Sequence, residues 1–324
     1  MTDYGVLLEP LLEELDLDYE GLHVVAIGGG HGLAQALMAL QDYADVITAV
    51  VTVADDGGSS GRLAPDLGIP PPGDIRRALL ALSPEDSVWR DLVGHRFEAG
   101  DVAGHSLGNL IIAALTAQVA DFDEAVAIVA RHLQARGEVV PVAPVALNLE
   151  ATIDGRPVRG QVAVATTPGR LTDLRVTPED VEASPAALRA IDAADQIVLG
   201  PGSLFTSIAV NLKVPGMVEA VNASPAKLVY VCNLATQNAE TLGMDAADHV
   251  EALIEVTGVR RPDTVVAHDD EIVGLEPPIE PVRVDGERLA ALGCTVELAR
   301  LCTGIGPHPH HDPARLGAVL RRLA

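Results

Sequence analysis

Three runs of small and polar residues carry the chemistry open to this sequence. They are Gly28-Gly29-Gly30-His31-Gly32, Asp55-Asp56-Gly57-Gly58-Ser59-Ser60-Gly61 and Gly200-Pro201-Gly202-Ser203. Glycine lacks a Cβ, so its backbone takes positive φ and its N–H approaches an anion closely. Where such a turn opens a helix, unpaired N–H groups and the positive end of the helix dipole add to the attraction. The guest these runs suit is a phosphate or a diphosphate. The dinucleotide fingerprint G-x-G-x-x-G is met only in part: Gly28, Gly30 and Gly32 are present, but Leu33 stands where the last glycine belongs. No lysine directly follows a glycine-rich turn, which excludes a P-loop. Asp55 or Asp56 falls where the next strand ends, the position that reads a ribose hydroxyl.

Further polar groups stand at comparable positions. Gly104-His105-Ser106-Leu107-Gly108-Asn109 precedes an apolar helix. There His105 either donates to a phosphate or braces the loop, and Asn109 can read a base, ribose or phosphate oxygen. Ser106 has no base and acid at recognisable spacing, so no hydrolase triad is read. Asp74, after three prolines and a glycine, suits a helix N-cap, with Arg76 and Arg77 in the first turn behind it. One of these arginines faces solvent and the other can reach a phosphate. Ser203 suits the cap of the helix it opens. Thr236 and Gln237 either hydrogen-bond a sugar or base or simply cap their loop. His308, His310 and His311 are interleaved with Pro307, Pro309 and Pro313, which reads as an extended loop or site edge rather than a metal cage.

These groups need a scaffold that brings strand ends together. Apolar β runs cover 22–27, 46–53, 196–199, 227–232 and 263–267. Helical segments alternate with them: one begins about Leu33, and others cover 75–82, 84–94 (anchored by Trp89), 110–119 and 123–136. Further helices are read at 185–194, from Leu204 to about Val210, at 245–256 and at 312–323. The alternation predicts a Rossmann-like α/β fold, a three-layer αβα sandwich with a mostly parallel sheet. Its ligand crevice lies at the carboxyl ends of the strands, where the glycine turns converge. From Val139 to Thr166 the texture turns to β, with strands at 146–153 and 161–166 joined across Asp154-Gly155. The organisation expected is an acidic extension over 1–20 and a single α/β domain over 21–324. That domain carries a β-rich insert, a small hairpin lobe, at about 139–175. Leucines at helical spacing in the extension suit a short amphipathic helix docked on the domain.

Composition narrows the partners. The 324 residues are 48% hydrophobic but only 2% aromatic, so Ala, Val and Leu must fill the core. A net charge of −24 argues against nucleic acid or an anionic membrane as main partner. Cys232, Cys294 and Cys302 lack metal or redox spacing and read as reduced, buried thiols. With no basic, apolar leader and no apolar run of membrane-spanning length, a cytoplasmic protein is expected.

The run Ala54-Asp55-Asp56-Gly57-Gly58-Ser59-Ser60-Gly61-Arg62-Leu63, followed by Pro71-Pro72-Gly73-Asp74, resembles the YvcK-type gluconeogenesis factors of bacteria. These share a larger group with the 2-phospho-L-lactate transferase CofD. GHSLGN at 104–109, VLGPGSLFTS at 198–207 and DHVEAL at 248–253 strengthen the match. The resemblance implies a CofD-like fold and a regulatory protein, rather than an enzyme, that binds UDP-sugars such as UDP-N-acetylglucosamine. Such proteins serve cell shape, cell-envelope synthesis and growth on gluconeogenic carbon sources, with envelope or regulatory proteins as partners and oligomers allowed. Carried onto this chain, the contacts are Gly29, Gly30, His31, Gly32, Asp55, Asn109, Gly202 and Ser203, and Asp74, His105 and Thr236 join the candidate list. The alternative is a transferase moving a phospholactyl group onto a deazaflavin with Mg²⁺, for which Asp55 and Asp56 are candidate metal ligands. The transferases continue the first glycine turn with Thr-Pro-Lys, and here it continues as His31-Gly32-Leu33-Ala34, which favours the regulatory branch. His31 stands where many relatives have threonine, no tyrosine precedes Glu280-Pro281-Val282, and His310 stands where relatives often have arginine. Loss of that permanent cation predicts a weaker grip on a diphosphate.

Overall fold

Among the described residues ten strands set the frame: β1 His23–Gly28, β2 Val46–Val51, β3 Glu138–Pro141, β4 Asn148–Ile153, β5 Arg156–Arg159, β6 Leu171–Thr177, β7 Gln196–Leu199, β8 Lys227–Val231, β9 Thr264–His268 and β10 Thr295–Ala299. The computed structural model describes residues 21–302 and 306–324, so the helix expected within Met1–Glu20 lies outside the described residues. Seven strands form one sheet in the order β10-β9-β8-β7-β1-β2-β3. Every neighbouring pair is parallel. A parallel sheet is covered on both faces, so its central strands are continuous apolar runs. In β1, Val24 and Ala26 face one core, and Val25 and Ile27 face the other.

The strand order has a functional consequence. From β1 the chain moves outward to β2 and β3, then returns to place β7 on the other side of β1. The direction of winding reverses between β1 and β7, and in open α/β sheets a crevice opens at such a switch point. The two turns that leave these strands carry Gly28–Gly32 and Gly200–Ser203. Helices Gly30–Leu40, Gly73–Leu82 and Pro313–Leu323 bury their apolar sides in one core. Helices Pro185–Asp192, Met217–Ala223 and Ala246–Thr257 bury theirs in the other.

The small lobe is a three-stranded antiparallel sheet, ordered β5-β4-β6. Leu149, Ala151, Ile153, Leu174 and Val176 join it to the main core. The turn at Asp154-Gly155 is where the sequence places it, but its second strand is β5, not 161–166. Gln161–Thr166 is a helix whose first N–H groups are held by a distant carboxylate. Val139 belongs to β3, the outer strand of the main sheet, so the lobe begins later than expected.

Other expectations are corrected at their ends. The first helix begins at Gly30, not Leu33. Residues 58–61, read as part of a turn, begin a helix that runs Gly58–Leu67. The segment after Ser203 starts as a π-helix, Leu204–Ala209. Trp89 does not anchor a core: it is 49% exposed on Val88–Gly94 and meets His132 edge-on at 5.8 Å. Cys232, Cys294 and Cys302 are buried, and none forms a disulfide among the described residues. No single helix among the described residues is long and apolar enough to cross a membrane.

Candidate functional site

Two adjoining cavities open at the carboxyl ends of β1, β7 and β8. The first, of about 330 Å³, is lined by Gly29, Gly30, His31 and Gly32, by Asp55, Asp74 and Arg77, and by Gly202 and Ser203. Thr52, Gln161, Thr206, Ser207 and Gln237 complete its wall. The second, of about 530 Å³, shares Gly32, Gly202 and Gln237 with the first. Thr236, Asn233, His310 and His311 line the second.

The two glycine turns touch backbone to backbone. A Cβ on Gly32 would lie 2.2 Å from the carbonyl oxygen of Pro201, so this close approach requires glycine. Gly30 takes φ +65° and opens the helix, whose N-cap residue Gly29 has no side chain to cap it. The first N–H groups of a helix have no intrahelical partner. Here the Gly30 N–H is taken by the Asp74 carboxylate, and His31 and Gly32 complete the first turn, which lines the cavity.

Asp74 and Arg77 form an ion pair at the start of Gly73–Leu82. Asp74 lies inside that first turn rather than at the N-cap, which is Pro72. Burial first, and the neighbouring Asp55 carboxylate next, push Asp74 above the usual carboxylate range, while Arg77 and the Gly30 N–H oppose the shift. Arg77 is the arginine that reaches the cavity. Arg76 is buried, and desolvation lowers it to about 10. Partial burial lowers His31, and the cations Arg77 and Arg76, with His310 between them in effect, act in the same direction.

His105 and Asn109 do not line either cavity. Asn109 is buried behind the glycine turns, where its Oδ1 accepts from Arg76 Nε at 3.0 Å and its Nδ2 donates to Ser59 Oγ at 3.0 Å. His105 Nδ1 lies 3.0 Å from the same Ser59 Oγ. This chain of contacts ties the 104–109 loop to the helix after Asp55–Gly57 and to the helix that bears Arg77. Both residues brace the site from behind.

Asp56 is likewise occupied. Its two carboxylate oxygens accept the N–H groups of Gln161 and Val162, each at 2.9 Å, and so cap the helix Gln161–Thr166. Asp55 accepts the Gly57 N–H at 3.0 Å and faces the cavity. Among the described residues no group of three or more His, Cys, Asp or Glu is placed to hold a metal ion. The residues present fit Asp55 as one protein carboxylate on a Mg²⁺ carried by ligand phosphates, and they do not form a dedicated cage. Ser203 does not cap its helix: its Oγ accepts from Gln237 Nε2 at 3.0 Å. Glu240 takes that task, binding the Phe205 N–H at 3.0 Å and the Thr206 hydroxyl at 2.6 Å. Thr236 is buried against Glu280, accepting the Glu280 N–H at 3.0 Å.

The sequence reading does not include Thr52, Gln161, Thr206, Ser207 or Asn233 as lining residues, whereas His310 and His311 lie at the site edge that the histidine group suggested. Gln161 comes from the lobe and has no local motif. Thr206 and Ser207 lie three and four positions after Ser203, one helical turn on from the glycine turn, and that spacing is the available signal.

Fold and cleft together define a doubly wound, parallel α/β protein with a cleft between two glycine turns at its switch point. The family described as 2-phospho-L-lactate transferase CofD matches residues 24–302. A protein of Bacillus subtilis named "Gluconeogenesis factor" is 43% identical over 305 residues, covering 92% of this chain and 96% of its own. One of the same name from Halalkalibacterium halodurans is 42% identical over 279 residues, covering 84% and 87%. A crystal structure of a UPF0052-family protein of Bacillus halodurans superposes with a TM-score of 0.87 at 38% identity, covering 92% of this chain and 98% of that one. The chain belongs to the CofD family, within its YvcK-type gluconeogenesis-factor group.

Proposed function

We propose that the cleft binds a nucleoside-diphosphate sugar of the UDP-N-acetylglucosamine kind. On this reading the protein is a cytoplasmic regulator of cell-envelope synthesis, cell shape and growth on gluconeogenic carbon sources. One observation carries the reading: the helix start that bears the His31 and Gly32 N–H groups shares a small polar cavity with the Gly202 turn and Arg77. Backbone N–H groups and a guanidinium at a helix N-terminus suit a diphosphate. The adjoining larger cavity gives room for the rest of such a ligand. The name shared by the relatives supports the link to gluconeogenesis. Envelope or regulatory proteins are the partners proposed for the ligand-bound state.

The family description favours a second reading, a phospholactate transferase acting on a deazaflavin. Acid–base or nucleophilic catalysis needs an activated group within reach of the reacting bond. Asp56 and His105 are both engaged in bracing contacts, which leaves Asp55 and the Arg77-paired Asp74 as the carboxylates facing the first cavity. That supports a binder over a catalyst. A thermal-shift panel of UDP-sugars, GDP-sugars, NAD and a deazaflavin tests both. A ligand at about a hundred times its Kd adds roughly 2.7 kcal/mol. The expected result is a rise with UDP-sugars alone, and a rise confined to the deazaflavin would overturn the reading.

A further inference from the structure

Three side chains at the second cavity each hold one polar atom without a partner among the described residues: His311 Nε2, Asn233 Nδ2 and Gln237 Oε1. His311 is only 6% exposed. All three are fixed from behind. His311 donates through its other ring nitrogen to the carbonyl of Cys232. Asn233 Oδ1 accepts the Gly202 N–H at 3.2 Å, and Gln237 Nε2 bonds Ser203 Oγ at 3.0 Å.

These contacts set what each side chain offers. Burial pushes His311 down to about 4, so the ring is neutral. With its proton on Nδ1, the ring presents a lone pair at Nε2. Gln237 presents a carbonyl oxygen and Asn233 an amide N–H. The wall thus offers two acceptors and one donor. A phosphate oxygen only accepts, so it would satisfy Asn233 and be repelled by the other two. A pair of adjacent hydroxyls supplies both donors and an oxygen to receive the Asn233 N–H. Asn233 and Gln237 also grip the Gly202–Ser203 turn that lines the first cavity, so such a pair would sit next to the diphosphate seat.

We infer that the second cavity takes a vicinal diol of a sugar ring, with His311 and Gln237 accepting from its hydroxyls and Asn233 donating to one of them. This rests on the nucleotide-sugar reading and adds the residues that select the sugar. The diol can be that of the ribose or of the pyranose, because both lie beside the diphosphate.

Titration calorimetry of the full chain separates these sources. The probes are UDP-N-acetylglucosamine, its 2′-deoxyribose analogue and its 4-deoxypyranose analogue. A buried acceptor left without its hydrogen bond should cost at least about tenfold in Kd. Such a loss with the first analogue assigns the ribose diol, and with the second the pyranose diol. His311→Phe should erase the discrimination, and Gln237→Ala is the second variant should His311→Phe not fold. Equal binding of all three ligands overturns the diol assignment while leaving the nucleotide-sugar reading standing. Full discrimination retained in folded variants also overturns it. No binding of UDP-N-acetylglucosamine overturns both.

Discussion

Replacing Gly30 by valine separates the ligand's needs from those of the fold. Gly30 has φ +65°, and a Cβ there meets nothing within 4 Å among the described residues. The cost to folding is therefore backbone strain alone, about 1–3 kcal/mol for a non-glycine residue in the left-handed region. Affinity should suffer far more, because the branched side chain projects over the turn that carries the His31 and Gly32 N–H groups. Hydrogen bonds to a charged partner contribute about 1.5–3 kcal/mol each. Losing two gives about 3–6 kcal/mol, or at least about a hundredfold in Kd. Gly68→Val is the matched control, since Gly68 has φ +64° and equally open space but lies at the far end of the helix Gly58–Leu67. Thermal melts should fall by a similar few degrees in both variants, whereas calorimetry with UDP-N-acetylglucosamine should register the loss only in Gly30→Val. Wild-type affinity in a folded Gly30→Val protein would refute the phosphate-cradle argument.

Three further outcomes are expected. His31 is held below its ordinary range by partial burial first, then by Arg77, His310 and Arg76, and a bound diphosphate would raise it. Binding then takes up a proton, so calorimetry should give tighter binding of UDP-N-acetylglucosamine at about pH 5.5 than at about pH 7.5. His31→Thr should flatten that profile, and an unchanged slope would assign the effect elsewhere. Asp56→Ala uncaps Gln161–Thr166 and should cost about 1 kcal/mol in chemical denaturation. It should weaken affinity far less than Gly30→Val, because Asp56 does not line the cavity and reaches it only through Gln161. Incubation with UDP-N-acetylglucosamine and Mg²⁺ should yield no new phosphorus NMR signal. A signal that requires the protein and vanishes in Asp55→Asn would promote the transferase reading.

The sequence made the central frame legible because buried parallel strands leave an unbroken apolar run. β7 falls at Gln196–Leu199, the span read from its pattern, and β1 and β8 agree to within a residue at each end. Elements whose stability comes from distant partners were not legible. Gln161–Thr166 has strand-like valine spacing, and it is helical because Asp56, more than 100 positions earlier, holds its first N–H groups. Gly58–Leu67 hides a helix among glycines, serines and a proline. β10 is a partly exposed outer strand whose short pattern TVELA gives little apolar signal.

The same division runs through the site. Gly32 must lie against the Pro201 backbone and Gly30 takes positive φ, and both demands are legible as glycine in the turn. Side-chain roles depend on which direction a loop is tied. The sequence leaves His105 as either a phosphate donor or a loop brace and suggests Asn109 as a ligand contact, and the structure ties both to Ser59. Arg76 and Arg77 are adjacent in sequence, and only packing decides that Arg76 is buried against Asn109 while Arg77 enters the cavity.

The most direct test of the account is a crystal structure of the protein with UDP-N-acetylglucosamine. The account predicts diphosphate oxygens at about 2.7–3.2 Å from the backbone nitrogens of His31 and Gly32, with Arg77 turned towards them. A diphosphate seated away from the Gly29–Gly32 and Gly202 turns, or a ligand bound outside both cavities, would contradict it.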